Sequence, residues 1–303
     1  FSVPGAGKTT EALACYFLRK STDTRLYVVC PKNAFGVWER EIIECAPDTE
    51  IKVVRLVGSS DSVQSKLKGD ADVFLITYQK FSNEVGNIAP FMKPSDIMFL
   101  DESHYIKRRS GGKWAESVLR IQHLPGYRLI MSGTPLPNGT QDLVSQFKFL
   151  GKEINPESSK VVDAIAPFYV RTTKKELGIE PYVPIRRPVP LSGGQLELYR
   201  YAKSEEFRQR ELSDSKSKNA LRRMGKSAIR LLQITSNPQL LVAHPYADLG
   251  PLREAISEGP SLKLKLACNR ARELAAAGRK CVIWSHFVLN VETVSAALSD
   301  LGA

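Results

Sequence analysis

Along residues 1–150, short apolar runs rich in branched side chains alternate with longer amphipathic stretches. This alternation is typical of βαβ units, in which parallel strands are joined by helices. It predicts four strands, each ending in polar or small residues, at Leu26–Cys30, Val73–Thr77, Ile97–Leu100 and Arg128–Met131. Because open α/β sheets bind ligands outside the carboxyl ends of their strands, we expect the chemistry at those four ends.

Beyond residue 150 the pattern changes. The proline-rich segment GIEPYVPIRRPVPL, residues 178–191, predicts an extended edge strand or a connector. Residues 193–235 have high helix propensity and are dense in Lys and Arg. A predicted helix over Leu262–Ala277 leads into CVIWSHF, residues 281–287, which predicts a strand. The expected parts are a first α/β lobe over residues 1–191, a basic helical insertion over 192–259 and the start of a second lobe over 260–303.

The composition narrows the class of protein. Hydrophobic residues make up 43% and charged residues 25% of the chain, which excludes a disordered or fibrous protein. The longest apolar runs have the length of strands, so no membrane partner is expected. The five cysteines form no C-x-x-C pair and are predicted to be buried thiols in a reducing compartment. The net charge of +11 favours a polyanionic partner but does not choose among DNA, RNA and acidic protein.

The opening residues PGAGKTT, at 4–10, have the composition of a phosphate-binding loop followed by a helix. In such a loop glycines let the backbone approach phosphate, the lysine reaches the β and γ phosphates, and the next hydroxyl binds magnesium. Ser2 stands where the full G-x-x-x-x-G-K-[ST] pattern has its first glycine, so a Gly-rich turn before a helix is the alternative. The predicted nucleotide-binding residues are Gly5, Ala6, Gly7, Lys8, Thr9 and Thr10, with Thr9 on magnesium.

A second nucleotide motif strengthens this interpretation. The apolar run IMFL ends in Asp101 and Glu102, where the first carboxylate can bind the magnesium and the second can orient and activate the attacking water. We therefore assign the catalytic roles to Lys8, Asp101 and Glu102. His104 follows the pair and either couples the nucleotide site to its neighbours or caps the turn.

A third strand end carries small hydroxyl residues. YRLIMSGTPLPN brings Ser132, Gly133 and Thr134 beside the acidic pair, where hydroxyl groups can relay the state of the nucleotide by changing hydrogen-bond partners. The alternative is a polar turn, since S-G-T-P is good turn chemistry. We predict that Ser132, Gly133, Thr134 and His104 form the coupling group.

The series PGAGKTT, VVCPKNAFGVWEREI, FLITYQKF, FLDESHYIKR, MSGTPLPN, FYVRTTKKEL and VIWSHF covers nearly the whole chain. In order and spacing it resembles motifs I, Ia, Ib, II, III, the segment after III, and IV of the Swi/Snf-type branch of superfamily-two helicase-like ATPases. Ser103 stands where Ala is usual, and Pro137 stands where many eukaryotic members carry Gln. These departures indicate a divergent prokaryotic, viral or annealing-helicase-like member.

The resemblance implies an α/β fold with a RecA-like parallel-sheet lobe, a helical insertion and the start of a second RecA-like lobe. It also implies the use of ATP and Mg²⁺ to move along double-stranded DNA and to remodel protein–DNA complexes. Family members touch the phosphate backbone at positions that correspond to Lys32, Thr77 and Lys107; the alternative for the two lysines is a solvated surface charge. Trp38 lies at helix spacing from Ile42, and we predict that it packs in the core rather than stacking on bases.

Two alternatives stay open at this point: a strand-separating or annealing helicase of the same superfamily, and a nucleotide-gated scaffold that clamps DNA without turnover. The chain begins inside its own phosphate-binding loop and has no motif V or VI. We therefore expect an internal piece of a longer protein that hydrolyses ATP poorly alone, because the arginine fingers of the family lie in motif VI. The expected location is the cytoplasm, at the nucleoid, or the nucleus in a eukaryote.

Overall fold

A computed structural model describes residues 1–106, 112–180, 182–191, 193–211, 218–243 and 250–302. The chain folds as two compact units, Phe1–Val183 and Pro184–Ala303. The division of the chain into three parts at residues 191 and 259 stays a prediction.

The first unit is built on a five-stranded sheet whose order is β2-β3-β1-β4-β5. Every strand pairs in parallel with its neighbours, and β1 lies between β3 and β4. The strands are β1 (Leu26–Val29), β2 (Val53–Arg55), β3 (Val73–Ile76), β4 (Ile97–Asp101) and β5 (Tyr127–Met131).

Helices connect these strands and cover both faces of the sheet, as parallel pairing requires. Those of the first unit are α1 (Lys8–Phe17), α2 (Phe35–Cys45), α3 (Ser60–Lys68), α4 (Tyr78–Ile88), α5 (Lys113–Arg120), α6 (Leu143–Phe149) and α7 (Val161–Ile165).

Alternation along the strands separates two hydrophobic clusters. Tyr27 and Phe74 point to the face covered by α3, α4 and α5, whereas Val28 and Leu75 point to the face covered by α1 and α2. Strands buried on both faces are continuous apolar runs, which explains why β1, β3 and β4 are visible in the sequence. Trp38 is fully buried in the second cluster, as predicted.

The four predicted strands are confirmed to within one residue at each end. β2 was not predicted, because it is a three-residue edge strand that is only partly buried. The chain runs from β1 to β3 on one side of β1 and then crosses to β4 on the other. The crevice outside the carboxyl ends of β1 and β4 is therefore the switch point at which such sheets bind ligands.

The regular secondary structure described in the second unit is helical. α8 (Gly193–Glu211) packs on α9 (Lys218–Ser236) and α10 (Gly250–Ser257) around Leu198, Ile234 and Leu252, which are fully buried. α11 (Leu262–Ala276) packs on α12 (Val288–Ala297). The basic stretch is thus helical over 193–211 and 218–236, as predicted, and the proline-rich residues 178–180 and 182–191 contain no helix or strand.

The strand predicted over residues 281–287 is wrong. These residues contain no helix or strand, and Val282 and Trp284 are 76% and 90% exposed. A strand is held by hydrogen bonds to a neighbour, and no strand lies beside this segment in the described part of the unit. High β propensity alone does not supply that partner.

The five cysteines are free thiols, as expected, but their burial differs. Cys30 is buried, and burial raises the pKa of its thiol. Cys45 and Cys281 are exposed, so the prediction of buried thiols is wrong for these two. Cys45 ends α2 and Cys281 lies in the irregular segment before α12, where nothing covers them. Within the described ranges, no helix combines the length and the apolar character that crossing a membrane would need.

Candidate nucleotide site at the carboxyl edge of the sheet

The opening loop ends at the N-terminus of α1. Gly5 and Gly7 have φ angles of 83° and 80°, in the left-handed region that glycine adopts without steric cost. Gly7 is the N-cap of the helix, and no side chain caps its first N–H groups. Free N–H groups at a helix N-terminus favour an anion, so the local geometry suits phosphate.

Lys8 folds back over this loop. Its Nζ donates to the carbonyl oxygens of Ser2 at 3.0 Å and of Val3 at 3.1 Å. The start of the loop is held in turn by Thr172, whose carbonyl accepts from the Val3 N–H at 3.1 Å and whose N–H donates to Ser2 Oγ at 3.1 Å. The ammonium group therefore already lies over the loop that would surround the phosphates.

The two threonines of the loop differ in their surroundings. Thr9 is half-buried. Thr10 is exposed, and its hydroxyl donates to Glu41 Oε2 on α2 at 2.9 Å. Thr10 thereby ties α1 to α2, and the role of Thr9 as a magnesium ligand stays a prediction.

Asp101 lies at the end of β4, and both of its carboxylate oxygens are oriented. Trp38 Nε1 donates to Oδ2 at 3.1 Å, and the Glu102 N–H donates to Oδ1 at 2.9 Å. The Asp101 carbonyl accepts from the hydroxyl of the buried Tyr78 at 2.8 Å. Burial raises the pKa of the Asp101 carboxyl, and the hydrogen bond from Trp38 opposes that rise by favouring the ionised form.

Glu102 has a φ of 50° and is the non-glycine residue with positive φ in the described chain. Left-handed backbone is unfavourable for a side chain with a Cβ, and such strain concentrates at functional sites. Its Oε2 lies 3.2 Å from His104 Nδ1. The acidic pair is thus held in one specific turn rather than left as two solvated carboxylates.

His104 connects the acidic pair to the end of β5. Its Nδ1 lies 3.0 Å from the buried Ser132 Oγ and 3.5 Å from Thr134 Oγ1. Ser132 Oγ also accepts from the Thr134 N–H at 3.1 Å. The ring thus bridges two predicted motifs, and the coupling role of His104 stays a prediction.

Gly133 places the third motif against the first. A Cβ added at Gly133 would lie 3.3 Å from Pro4 Cδ and 3.6 Å from the Ser2 carbonyl oxygen. The two loops therefore touch at a position where a side chain would separate them. The loop at residues 4–10, the acidic pair and the Ser132–Thr134 turn therefore adjoin one another, and their roles stay predictions.

Two of the three predicted nucleic-acid contacts, Lys32 and Thr77, lie within the described residues. Lys32 is exposed and opens a short 3₁₀ helix directly after β1. Thr77 follows β3, and its hydroxyl caps α4 by accepting from the Lys80 N–H at 3.2 Å. Both lie at the carboxyl edge of the sheet, on the side where Asp101 ends β4. Lys107 lies outside the described residues, and all three stay predictions.

The donor chemistry fits magnesium. Mg²⁺ prefers hard oxygen ligands and keeps several waters, and Thr9 and Asp101 offer a hydroxyl and a carboxylate beside Lys8. Each Asp101 oxygen accepts one hydrogen bond from protein, which leaves a lone pair on each for a metal ion or its waters. The described residues contain no cluster of three or more His, Cys, Asp or Glu that would form an all-protein metal cage.

Three residues of this site have roles that sequence reasoning missed. Trp38 was predicted only as a packing residue, yet it also donates to Asp101. Tyr78 and Gln146 were not predicted at all, although Tyr78 contacts the Asp101 carbonyl and Gln146 accepts from Ser103 Oγ. Their partners lie 23 to 63 residues away in the chain, so helix or strand spacing gives no signal for them.

Comparison with known proteins agrees with the motif pattern found in the sequence. Residues 3–160, just over half of the chain, match the family described as the SNF2-related domain. The chain is 28% identical over 177 residues to the ATP-dependent helicase fft1 of Schizosaccharomyces pombe, covering 56% of this chain and 18% of that protein. It is 23% identical over 316 residues to the ATP-dependent helicase/translocase YwqA of Bacillus subtilis. That match covers 94% of this chain and 32% of YwqA.

A solved structure shares the fold. The SWI2/SNF2 ATPase core of Sulfolobus solfataricus, in complex with double-stranded DNA, superposes with a TM-score of 0.50 at 21% identity. The match covers 99% of this chain and 64% of that one. The chain therefore spans about a third or less of the two relatives named above and about two thirds of the solved ATPase core.

Proposed function

This chain belongs to the SNF2-related domain family, as a Swi/Snf-type helicase-like ATPase, and we propose that it couples ATP hydrolysis to movement along double-stranded DNA. The observation that carries the proposal is the arrangement at the carboxyl edge of the sheet, where His104 links Glu102 to Ser132. Gly133 of the same turn lies against Ser2 and Pro4, in the loop over which Lys8 folds. The choice of duplex DNA is motivated by the net charge of +11 and by the solved relative's complex.

The phosphate-binding loop holds the nucleotide. Its N–H groups and the N-terminus of α1 bind the phosphate oxygens, and Lys8 leaves the Ser2 and Val3 carbonyls to reach the β and γ phosphates. Thr9 and Asp101 would hold Mg²⁺, and the ion would supply neutralisation of the charge on the phosphates.

Glu102 is the general base. Its carboxylate takes a proton from the attacking water, and a base must lie within hydrogen-bond reach of the proton that it removes. The side chain is held at 3.2 Å from His104, so it is oriented before the water arrives. His104 shares its Nδ1 with Ser132, and a change at either residue is felt at Glu102.

Coupling to movement follows from the same contacts. Ser132 and Thr134 respond to the γ phosphate by exchanging hydrogen-bond partners, and the turn that they form touches the phosphate-binding loop through Gly133. Lys32, Thr77 and Lys107 contact the phosphate backbone of one DNA strand, which gives affinity with little sequence specificity. The remodelling of protein–DNA complexes follows if DNA-bound proteins stand in the path of this movement.

The test is the ATPase rate of the full gene product alone and with duplex DNA, single-stranded DNA or RNA. We expect strong stimulation by duplex DNA and its loss in Glu102→Gln, with nucleotide binding retained. Glu116→Gln makes the same chemical change at an exposed position of α5 and serves as the matched control.

The other outcomes identify the alternatives. Stimulation by single strands alone, with separation of a tailed duplex, would assign the chain to a strand-separating helicase. Full biological activity in Glu102→Gln would assign it to a DNA clamp without turnover.

A further inference from the structure

Gln146 on α6 is fully buried and joins three separate segments. Its Oε1 accepts from Ser103 Oγ at 2.6 Å. Its Nε2 donates to the Pro135 carbonyl at 2.9 Å and to the Asp142 carbonyl at 2.8 Å. One side chain therefore connects the turn of the acidic pair, the loop after β5 and the start of α6.

Ser103 is the residue through which this connection reaches the acidic pair. It is completely buried and directly follows Glu102, whose left-handed backbone needs support from its neighbours. Since the resemblance places Ala at this position, the usual residue supplies no hydroxyl for such a bond. The Ser103–Gln146 hydrogen bond thus ties the residue that directly follows Glu102 to α6.

The loop after β5 is fastened to α6 at two points. Besides the bond from Gln146 to Pro135, the buried Asp142 accepts from the Asn138 N–H through Oδ2 at 2.7 Å. Because Asn138 and Pro135 both lie in the loop that follows Ser132, these two hydrogen bonds anchor the loop to α6.

We propose that Ser103 and Gln146 are positioning residues, which hold the Glu102 turn and the loop after β5 as one unit for ATP hydrolysis. The inference rests on the proposed function, since it assigns Glu102 the role of general base. It adds a second path between these segments, from Ser103 through Gln146 to Pro135, beside the direct contact of His104 with Ser132.

Removal of the Ser103 hydroxyl would leave Gln146 Oε1 buried without a partner and release the turn beside Glu102. Small displacements of a catalytic group have large effects on rate, and a loss of 1.4 kcal/mol in transition-state stabilisation is about tenfold. We therefore expect Ser103→Ala to lower kcat for DNA-stimulated hydrolysis about tenfold. The KM for ATP should stay within about twofold, because the phosphate-binding loop is unchanged.

The experiment is a double-mutant cycle on the full gene product. Ser103→Ala, Gln146→Met and the double variant are compared in kcat, KM for ATP and thermal unfolding. If Ser103 acts through Gln146, the double variant should have the same kcat as Gln146→Met alone, because the second change removes a group that no longer has a partner. Ser103→Cys keeps a weak donor and should recover part of the kcat that Ser103→Ala loses.

Ser117→Ala is the matched control. Ser117 is also a buried serine, with hydrogen bonds to Ser82 Oγ and the Lys113 carbonyl, but it lies on α5 away from the site. It should lower the unfolding temperature while leaving kcat unchanged.

Two results would overturn the proposal: a kcat of Ser103→Ala equal to that of the unmodified protein, or losses in kcat that add fully in the double variant. If Gln146→Met does not fold, the kcat values of Ser103→Ala and Ser103→Cys decide whether the proposal holds. Absence of DNA-stimulated hydrolysis in the unmodified protein would instead contradict the proposed function, so the two failures are distinguishable.

Discussion

Trp38 Nε1 donates a hydrogen bond of 3.1 Å to Asp101 Oδ2, and so links the helix after β1 to the carboxylate at the end of β4. The two residues meet where β1 and β4 lie side by side in the sheet. The indole orients the carboxylate and favours its ionised form against the effect of burial. If Asp101 holds magnesium as proposed, Trp38 orients that ligand, as outer groups orient the ligands of many metal sites.

Trp38→Phe should weaken the binding of magnesium. Phenylalanine keeps most of the buried ring but removes the N–H, so the Asp101 carboxylate loses one of its two orienting donors. Loss of such an outer partner costs about tenfold or more in metal affinity. The Mg²⁺ concentration that gives half-maximal binding of a fluorescent nucleotide should therefore rise about tenfold.

Trp114→Phe is the control for this change, because Trp114 packs against Tyr78 and Tyr105 at ring distances of 6.0 Å and 5.8 Å. It should leave the Mg²⁺ requirement unchanged. An unaltered Mg²⁺ requirement in Trp38→Phe would show that the indole only packs.

Gly7→Ala should impair nucleotide binding more than folding. At a φ of 80°, backbone strain destabilises a residue with a Cβ by about 1–2 kcal/mol. A Cβ there meets no atom within 4 Å, so it would stand in the open space over the loop that the phosphates must approach. Calorimetric titration with ATP should show at least a tenfold loss of affinity, with a decrease of only a few degrees in unfolding temperature.

Gly36→Ala makes the same change on α2, where a Cβ also meets nothing within 4 Å and the backbone is helical. It should leave ATP affinity unchanged and slightly raise the unfolding temperature, because alanine favours the helix. Equal affinities in Gly7→Ala and Gly36→Ala would argue against phosphate binding at this loop.

The stability of the first unit should depend on pH through Asp72. Burial raises the pKa of this carboxyl, but hydrogen bonds from Lys20 Nζ at 2.6 Å and the Lys52 N–H at 2.9 Å outweigh it and leave the pKa below its usual value. The folded pKa is the lower one. The ionised group therefore stabilises the fold above the unfolded pKa of about 3.9, and this contribution disappears as the pH falls through the folded pKa.

Asp72→Asn should consequently lower the free energy of unfolding by about 1 kcal/mol near neutral pH, and the difference from the unmodified protein should shrink as the pH drops below about 4. Urea unfolding at several pH values measures both. Asp70→Asn removes an exposed partner of Lys52 and should cost little at any pH. A constant difference between Asp72→Asn and the unmodified protein across this range would refute the assignment.

The sequence predicted those parts of the site that depend on local pattern. Asp101 and Glu102 could be placed at a strand end because β4 is a continuous apolar run, and the phosphate-binding loop could be placed because glycine and lysine occur at fixed spacing before a helix. Local pattern also predicted that Trp38 is buried. It could not give the partner of Trp38, since the bond to Asp101 joins residues 63 positions apart.

The predictions that failed or were incomplete concern features that local sequence pattern does not determine. β2 was not predicted because three partly buried residues at a sheet edge are too few to show a hydrophobic period. Residues 281–287 have the propensity of a strand but no neighbouring strand within the described chain, so propensity alone misled. Ser103 was noted as a departure from the usual Ala, and only the fold shows that its hydroxyl reaches Gln146, 43 residues later.

Displacement of a third DNA strand from a duplex tests the central claim most directly, because it records movement along duplex DNA without requiring strand separation. The full gene product should displace the third strand only with ATP and Mg²⁺, should leave the underlying duplex paired, and should fail to do so as Glu102→Gln. Rapid ATP hydrolysis without displacement of the third strand, or displacement that persists in Glu102→Gln, would contradict an ATP-driven translocase on double-stranded DNA.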